Sequence, residues 1–185
     1  QVNVIPGEVR IETYVRGRSM EAILDANVKV DRALRAGALA LGAKVEIETI
    51  PGYMPMTCNP IMAQHFRDIA GDLFGPENYR QIGHRTGSTD MGDLSQVMPI
   101  LHPYIGGARG TGHGADWAIV DKPLAYLGPA KGLAAMIVDL MWDGAAGARE
   151  VVAKARPPMT RASYLAAQRA LAVVDRFRKL DHLVL

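Results

Sequence analysis

The amino-terminal part of the chain contains apolar or β-branched residues alternating with mostly charged ones, Val9-Arg10-Ile11-Glu12-Thr13-Tyr14-Val15-Arg16. Successive side chains of a β-strand point to opposite faces, so this pattern predicts a strand with one covered face. Residues 1–5 predict a shorter strand, and Pro6-Gly7 supplies a turn between the two. The two strands are therefore expected to be antiparallel neighbours.

A helix and a third strand are predicted to follow. Ser19 is a favourable N-cap, an apolar stripe of nearly 3.6-residue spacing comes after it, and Gly42 stands where glycine commonly ends a helix. Residues 44–50 alternate again, with the odd-numbered side chains facing inward. The order strand, strand, helix, strand matches the second half of a ferredoxin-like βαββαβ motif, without its first strand and helix.

The rest of the chain predicts a separate α/β portion. Residues 51–59 contain Pro, Gly and Met without periodicity, which is typical of a connector, and Asn59-Pro60 is expected to begin a helix. The buried stripe of that helix is predicted to be Met62, Phe66, Ile69 and Leu73. The other predicted elements are a strand around residues 97–105, a helix from Pro129 with Leu133, Met136, Ile137, Leu140 and Met141 inward, and a final helix from Thr160 to about residue 176.

Net charge, hydrophobicity and cysteine content indicate which partners and which location to expect for this chain. The 185 residues carry a net charge of +2, with scattered Lys and Arg, so no nucleic-acid partner is expected. Residues 132–142 are apolar but contain Asp139 and are shorter than the roughly 20 residues of a membrane span, so they predict a buried helix and no membrane partner. The single cysteine, Cys58, excludes an internal disulfide and favours a reducing, cytoplasmic location.

Two stretches contain residues suited to chemistry. Residues 86–93, Thr-Gly-Ser-Thr-Asp-Met-Gly-Asp, can hold an anionic or carbonyl oxygen through backbone N–H and hydroxyl groups, although an ordinary helix N-cap has the same composition and is favoured by the sequence alone. In residues 110–117, His113 is flanked by glycines, so its imidazole can be directed at a metal or a substrate. A structural role is the more common one for a lone histidine. His65 lies off the apolar stripe of its helix and is expected to be solvated.

Three segments, in order, resemble the aminoacylase and carboxypeptidase G type of metal-dependent amidohydrolase. Residues 3–6 followed by the strand that ends in Arg16 are similar to part of the lid domain of that family. Residues 87–93 resemble the substrate loop of its aminobenzoyl-glutamate utilisation branch. Gly112-His113, followed by a loop and a long apolar helix, resembles the end of the catalytic domain, where the last metal-binding histidine lies. The resemblance covers residues 2 to about 143.

The resemblance implies a two-part architecture. Residues 1–56 would be the second half of a ferredoxin-like lid and dimerisation domain, and residues 57–185 the C-terminal half of an α/β di-metal exopeptidase-type catalytic domain with a helical tail. The N-terminal half of the protein, with most metal ligands and the general-base glutamate, would be the missing partner, so no catalytic residue is assigned to this chain. A homodimer through the lid domain is also implied.

The resemblance also implies an activity. The intact protein would use two divalent metal ions, zinc or alternatively manganese, to activate water for attack on an amide bond to an amino acid. The substrate would be an N-acyl or aminobenzoyl amino acid or a small peptide. His113 would be a metal ligand, and the substrate would contact the residues Asn3, Arg16, Gly87, Ser88 and Thr89.

Strand alternation adds a geometric reason for the first two of these substrate contacts. In antiparallel strands whose apolar residues face the helix, Asn3 and Arg16 share the open face, where a guanidinium and an amide can bind a carboxylate. The alternative is that Arg16 pairs with Glu12 or Glu48 on a solvated face. Two other functions also remain open: a non-catalytic dimerisation module, and a small-molecule-binding module that uses the face of Asn3 and Arg16 without chemistry. An upstream reading frame with metal-ligand motifs, or metal analysis of the complete gene product, distinguishes the enzyme from both.

Overall fold

The computed structural model describes residues 3–177, which fall into two units. One unit contains the described residues up to Ile50 together with those from Ala172 onward, and the other is Pro51–Leu171. Helices and small antiparallel sheets are mixed along the described part of the chain, which is consistent with the predicted α/β class. The principal elements are α1 (Met20–Ala40), β1 (Val45–Thr49), α2 (Pro60–Phe74), α3 (Met91–Val97), β2 (Ala108–Arg109), β3 (Ala118–Ile119), α4 (Gly128–Lys154), α5 (Arg161–Leu171) and β4 (Val173–Phe177).

Helix α1 begins and ends at the residues that the sequence predicts. The Ser19 hydroxyl accepts a hydrogen bond from the N–H of Ala22, which satisfies one of the free donors of the first turn. At the other end Gly42 has a φ of 63°, a left-handed conformation that glycine adopts without steric cost. The N–H groups of Gly42 and Ala43 bond the carbonyls of Leu39 and Ala38, so the last turn closes in a Schellman motif.

Strand β1 pairs with β4 in an antiparallel two-stranded sheet, with Val45 opposite Phe177 and Thr49 opposite Val173. Ile47 is buried, and the glutamates on either side of it are exposed, as the alternation predicts. Two ion pairs connect elements of this unit: Arg35–Asp175 joins α1 to β4, and Arg176–Glu46 joins β4 to β1.

The prediction that the last helix continues to about residue 176 is wrong. Helix α5 ends at Leu171, and β4 begins at Val173. The β-branched pair Val173-Val174 favours a strand, and pairing with β1 satisfies its backbone. The predicted division at residues 56 and 57 places this segment with the catalytic part, whereas the structure groups β4 with β1.

The two strands predicted at residues 1–5 and 9–16 are not formed in the described part of the chain. Residues 4–17 have no strand conformation, and Ile5, Val9 and Ile11 are 94%, 70% and 70% exposed. A strand becomes stable when a neighbouring backbone completes its hydrogen bonds, and the partner of β1 is β4. Residues 1 and 2 lie outside the described residues. The ferredoxin-like arrangement therefore stays a prediction.

Helix α2 supports the second unit. The Asn59 side chain accepts hydrogen bonds from the N–H groups of Ile61 and Met62, both at 3.0 Å, as the predicted cap requires. The Phe66 ring contacts α4 at Gly132, where an added Cβ would lie 3.3 Å from it. Leu73, predicted to be buried, is exposed instead.

Helix α4 is long, apolar and bent. Its φ and ψ angles become non-helical between Trp142 and Ala145. Met136 is buried and Leu140 is half-buried, as predicted, but Leu133, Ile137 and Met141 are exposed. The contact with α2 is centred on Gly132 and Met136, so the neighbouring apolar face points away from α2.

His65 also differs from its prediction. It is half-buried, and its Nδ1 lies 2.5 Å from the carboxylate of Asp139 on α4, so this imidazole helps to join the two helices and is not simply solvated. By length and composition the helical segment Pro123–Lys154 could cross a membrane, a test that core helices of soluble proteins also pass.

No strand forms around residues 97–105. Helix α3 extends to Val97, and the following residues are irregular up to the short strand β2. This stretch is nevertheless anchored, because Ile100 is buried and its carbonyl accepts a hydrogen bond from the N–H of Asn59 at 2.8 Å. Ile100 is thus buried without strand pairing, which is why a hydrophobic run alone does not establish a strand.

Short helix α3 holds the connector before α2. The Asp93 carboxylate accepts the N–H of Met54 at 3.0 Å, and the Ser95 hydroxyl accepts the N–H of Thr57 at 3.2 Å. Gln96 donates to the carbonyl of Pro55 at 2.8 Å. Ser95 and Gln96 are buried and hydrogen-bonded, as buried polar groups must be.

We predict that Gly92→Ala destabilises the second unit. A Cβ at Gly92 would lie 1.9 Å from the carbonyl oxygen of Met54, so the connector would have to move away from α3. The free energy of unfolding should fall by about 1–3 kcal/mol, measured by urea denaturation.

The matched control is Gly37→Ala in α1, where an added Cβ meets nothing within 4 Å. That change should raise the unfolding free energy by about 0.4–1 kcal/mol, because alanine loses less conformational entropy on folding. Equal stabilisation by both substitutions would contradict the packing of the connector on α3.

Candidate functional site

The segment that contains His113 is the loop of a small hairpin. Strands β2 and β3 pair through Ala108 with Ile119 and Arg109 with Ala118. Between them, both carboxylate oxygens of Asp116 accept the N–H of Thr111 at 3.2 Å. Two further bonds, Gly114 N–H to Thr111 carbonyl at 2.7 Å and Trp117 N–H to Gly114 carbonyl at 3.2 Å, fold the loop on itself.

His113 lies at the tip of this loop with its side chain exposed. Its φ is 64°, a left-handed conformation that is uncommon for residues other than glycine. Such backbone strain persists only where the surrounding structure imposes it, and it is often found at functional sites. The flanking glycines and the Asp116 bonds therefore present one imidazole to the surroundings on an ordered loop.

A metal site is not complete within this part of the molecule. Among residues 3–177 no group of three or more His, Cys, Asp or Glu side chains is placed to hold a metal ion. Catalytic zinc sites use three protein ligands and keep one open position. The described residues therefore do not by themselves fit a metal, and His113 fits only as a single ligand that others would have to join.

The stretch that precedes α3 divides into two parts. Gly87 and Ser88 are exposed and have no regular structure, whereas Thr89 leads into the helix. The Thr89 hydroxyl is 3.4 Å from the N–H of Met91, and the Thr89 carbonyl accepts the N–H of Gly92 at 3.0 Å. This half of the stretch leads into the helix, but its N-cap residue, Asp90, makes no side-chain capping hydrogen bond. The predicted role of Gly87, Ser88 and Thr89 in substrate binding stays a prediction.

Asn3 and Arg16 lie in the first unit, and both are exposed. The Arg16 guanidinium lies 5.3 Å from the centroid of the Tyr14 ring, and Glu12 pairs with Arg10 at 3.2 Å. Since the strands that would align Asn3 and Arg16 are not formed in the described residues, the structure does not bring the two side chains onto one sheet face. Their joint role also stays a prediction.

Several polar residues have roles that the sequence did not indicate. His65 pairs with Asp139, and Asp93 binds the connector backbone. His102 stacks on Tyr104 with ring centroids 5.3 Å apart, and its Nδ1 is buried with no partner among the described residues. These contacts join residues distant along the chain or depend on exact side-chain placement. A local sequence pattern therefore does not predict them.

Comparisons with known proteins point to hydrolases. The chain is 31% identical over 106 residues to Xaa-Arg dipeptidase of Mus musculus and, over the same length, to its Homo sapiens counterpart. It is 26% identical over 108 residues to IAA-amino acid hydrolase ILR1-like 4 of Arabidopsis thaliana. These matches cover 55% to 56% of the chain. No family model matches it, and no solved structure does.

The matched stretch spans 24% of the length of each of these relatives, about a quarter of a complete enzyme. The aminobenzoyl-glutamate branch is not represented among them. The relatives therefore support the general resemblance to dipeptidases and amino acid hydrolases.

Proposed function

We propose that this chain is the C-terminal part of a metal-dependent amidohydrolase or peptidase that cleaves an amide bond to an amino acid. The observation that carries the proposal is the similarity to a dipeptidase and to an amino acid hydrolase, since both names describe hydrolysis that yields an amino acid. The remaining ligands and the proton-transferring carboxylate lie in a further part of the same protein. The chain alone is inactive.

His113 is the ligand that this part contributes. Its loop is fixed by Asp116, and its imidazole is exposed. One or two divalent ions, zinc or manganese, would supply an activated water when bound. The chain's own role is to hold one imidazole nitrogen at a fixed position, which lowers the reorganisation needed when the ion binds.

The substrate class is an N-acyl or aminobenzoyl amino acid or a small peptide. Gly87 and Ser88 are exposed beside a helix that is fixed to the connector, so they form an accessible loop on a rigid support. Arg16 and Asn3 would hold the carboxylate of the amino acid. The same proposal includes a homodimer through residues 1–56 and a cytoplasmic location.

We predict that His113→Ala in the complete protein removes bound metal and activity. Removing a residue that hydrogen-bonds a metal ligand typically lowers metal affinity or activity about 10- to 100-fold. Removing the ligand itself should therefore lower kcat/KM by more than about 100-fold. Metal content by mass spectrometry and hydrolysis of N-acyl amino acids give the two readouts.

His84→Ala is the matched control, because His84 is also an exposed histidine in an irregular segment. It should leave the metal content unchanged. Full metal occupancy and normal turnover in the His113 variant would refute the assignment.

We also predict that Arg16→Ala raises KM by about 10- to 100-fold for substrates with a free carboxylate. A charge-assisted hydrogen bond contributes about 1.5–3 kcal/mol, and each 1.4 kcal/mol corresponds to tenfold. Amide substrates that lack the carboxylate should change far less.

Arg10→Ala serves as the control, because Arg10 is a similarly exposed arginine whose partner is Glu12. It should leave KM unchanged for both substrate types. An equal loss with both substrate types in the Arg16 variant would show that Arg16 supports the fold and does not bind the carboxylate.

A further inference from the structure

Helices α2 and α4 are joined by a histidine–carboxylate pair that takes no part in the site around His113. The Nδ1 atom of His65 lies 2.5 Å from a carboxylate oxygen of Asp139, and the two side chains are 26% and 44% exposed. Because an ionised carboxylate only accepts hydrogen bonds, Nδ1 carries the proton. The neutral ring is therefore held in one tautomer, with its lone pair on Nε2.

The Nε2 atom of His65 is open to solvent. Within residues 3–177 it makes no hydrogen bond, since the bond to Asp139 uses Nδ1. In the same part of the chain, the buried side-chain nitrogen that lacks a partner belongs to His102, so Nε2 of His65 is not a buried atom. A reagent in solution can therefore reach the nitrogen that carries the lone pair.

The imidazole ring is held between the two arms of α4, residues 128–141 before the bend and residues 146–154 after it. A Cβ added at Gly147 in the second arm would lie 3.4 Å from Cε1 of His65 and 3.3 Å from the Cα of Leu140 in the first arm. Backbone on one side and Asp139 on the other therefore restrict rotation of the ring. A carboxylate gives the histidine of hydrolytic triads the same fixed orientation and stabilises the imidazolium that forms there.

The charged groups around the ring favour a neutral reagent. Asp139 contacts the ring, and Asp68 lies one helical turn from His65 on α2. A hydrogen bond from Lys154 lowers the pKa of Glu150, and the charge of His65 adds a smaller effect in the same direction, so Glu150 also faces the ring. Since Lys154 offsets only the charge of Glu150, the two aspartates repel an anionic reagent more than a neutral one.

We propose that His65, oriented by Asp139, is a nucleophile that accepts acyl groups from neutral activated esters. The Nε2 lone pair attacks the ester carbonyl carbon, and the bond to the leaving oxygen breaks. The Nδ1 proton then passes by way of Asp139 to the released alkoxide. Water attacks the acyl-imidazole, which releases a carboxylic acid and regenerates the neutral ring. This reaction is independent of the metal site proposed for His113, and Asp139 is a positioning residue in it.

The test is acylation of the complete protein in the presence of a metal chelator, which suppresses metal-dependent hydrolysis. Diethyl pyrocarbonate is the neutral acyl donor, and its reaction at each histidine is followed by peptide mass spectrometry. His84 is the internal reference, because its side chain is exposed in an irregular segment. Although His65 is the more buried of the two, it should react at least about tenfold faster, a difference of about 1.4 kcal/mol in activation free energy. Equal or slower reaction of His65 would reduce the pair to a structural contact and overturn the proposal.

Two variants test the role of Asp139. Asp139→Asn should remove the rate advantage of His65 over His84, whereas Asp139→Glu should restore most of it, because only a carboxylate stabilises the imidazolium. The rate at His84 should stay the same in both variants, and thermal unfolding shows whether each is folded. An unchanged rate at His65 in a folded Asn variant would contradict the proposal. If that variant does not fold, the comparison of His65 with His84 in the unaltered protein still decides.

Ester hydrolysis gives a second measurement under the same chelating conditions. The protein should release nitrophenolate from p-nitrophenyl acetate about tenfold faster than its His65→Gln variant, and acid-quenched samples should carry an acetyl group on His65. Acetyl phosphate, an anionic acyl donor, should give a smaller ratio of His65 to His84 acylation than the neutral ester. Equal hydrolysis by the His65→Gln variant, or a larger ratio with acetyl phosphate, would overturn the assignment.

Discussion

The second unit depends on the hydrogen bonds that α3 makes to chain segments on either side of it. Its side chains bind the connector backbone through Asp93, Ser95 and Gln96. The carbonyl of Gln96 also accepts the N–H of Met159, before α5, at 2.8 Å. A seven-residue helix thereby joins segments far apart in sequence, and buried bonds of this kind are costly to leave unsatisfied.

This constraint divides residues 86–93 into a part that binds the connector and a part that stays accessible. Gly92 packs against the connector at Met54, and Asp93 accepts a hydrogen bond from it, so Gly87 and Ser88 are the accessible part of the stretch. The hairpin shows the same division, because Asp116 fixes the loop while His113 is presented outward. In the hairpin, a small number of hydrogen bonds hold the loop that carries the exposed His113, as preorganised sites require.

Local features were predictable from the sequence, and partner-dependent ones were not. The caps Ser19 and Asn59 and the terminator Gly42 act within a few residues, so α1 and α2 begin and end as expected. The strand pattern at residues 9–16 has no described neighbour to pair with, and β4 is stabilised by a strand more than 120 residues earlier. The exposed face of α4 and the pairing of His65 with Asp139 likewise depend on tertiary packing. The roles of the site residues follow from the family resemblance alone, because their local settings specify no ligand.

The proposed function requires that this chain contribute one imidazole to a metal site completed by residues elsewhere in the protein. Anomalous diffraction from crystals of the complete protein, collected at the absorption edge of the bound metal, tests it most directly. We expect an anomalous peak about 2.0–2.1 Å from a ring nitrogen of His113, with the other ligands outside residues 3–177. A metal peak far from His113, or one surrounded only by residues of this chain, would contradict the account.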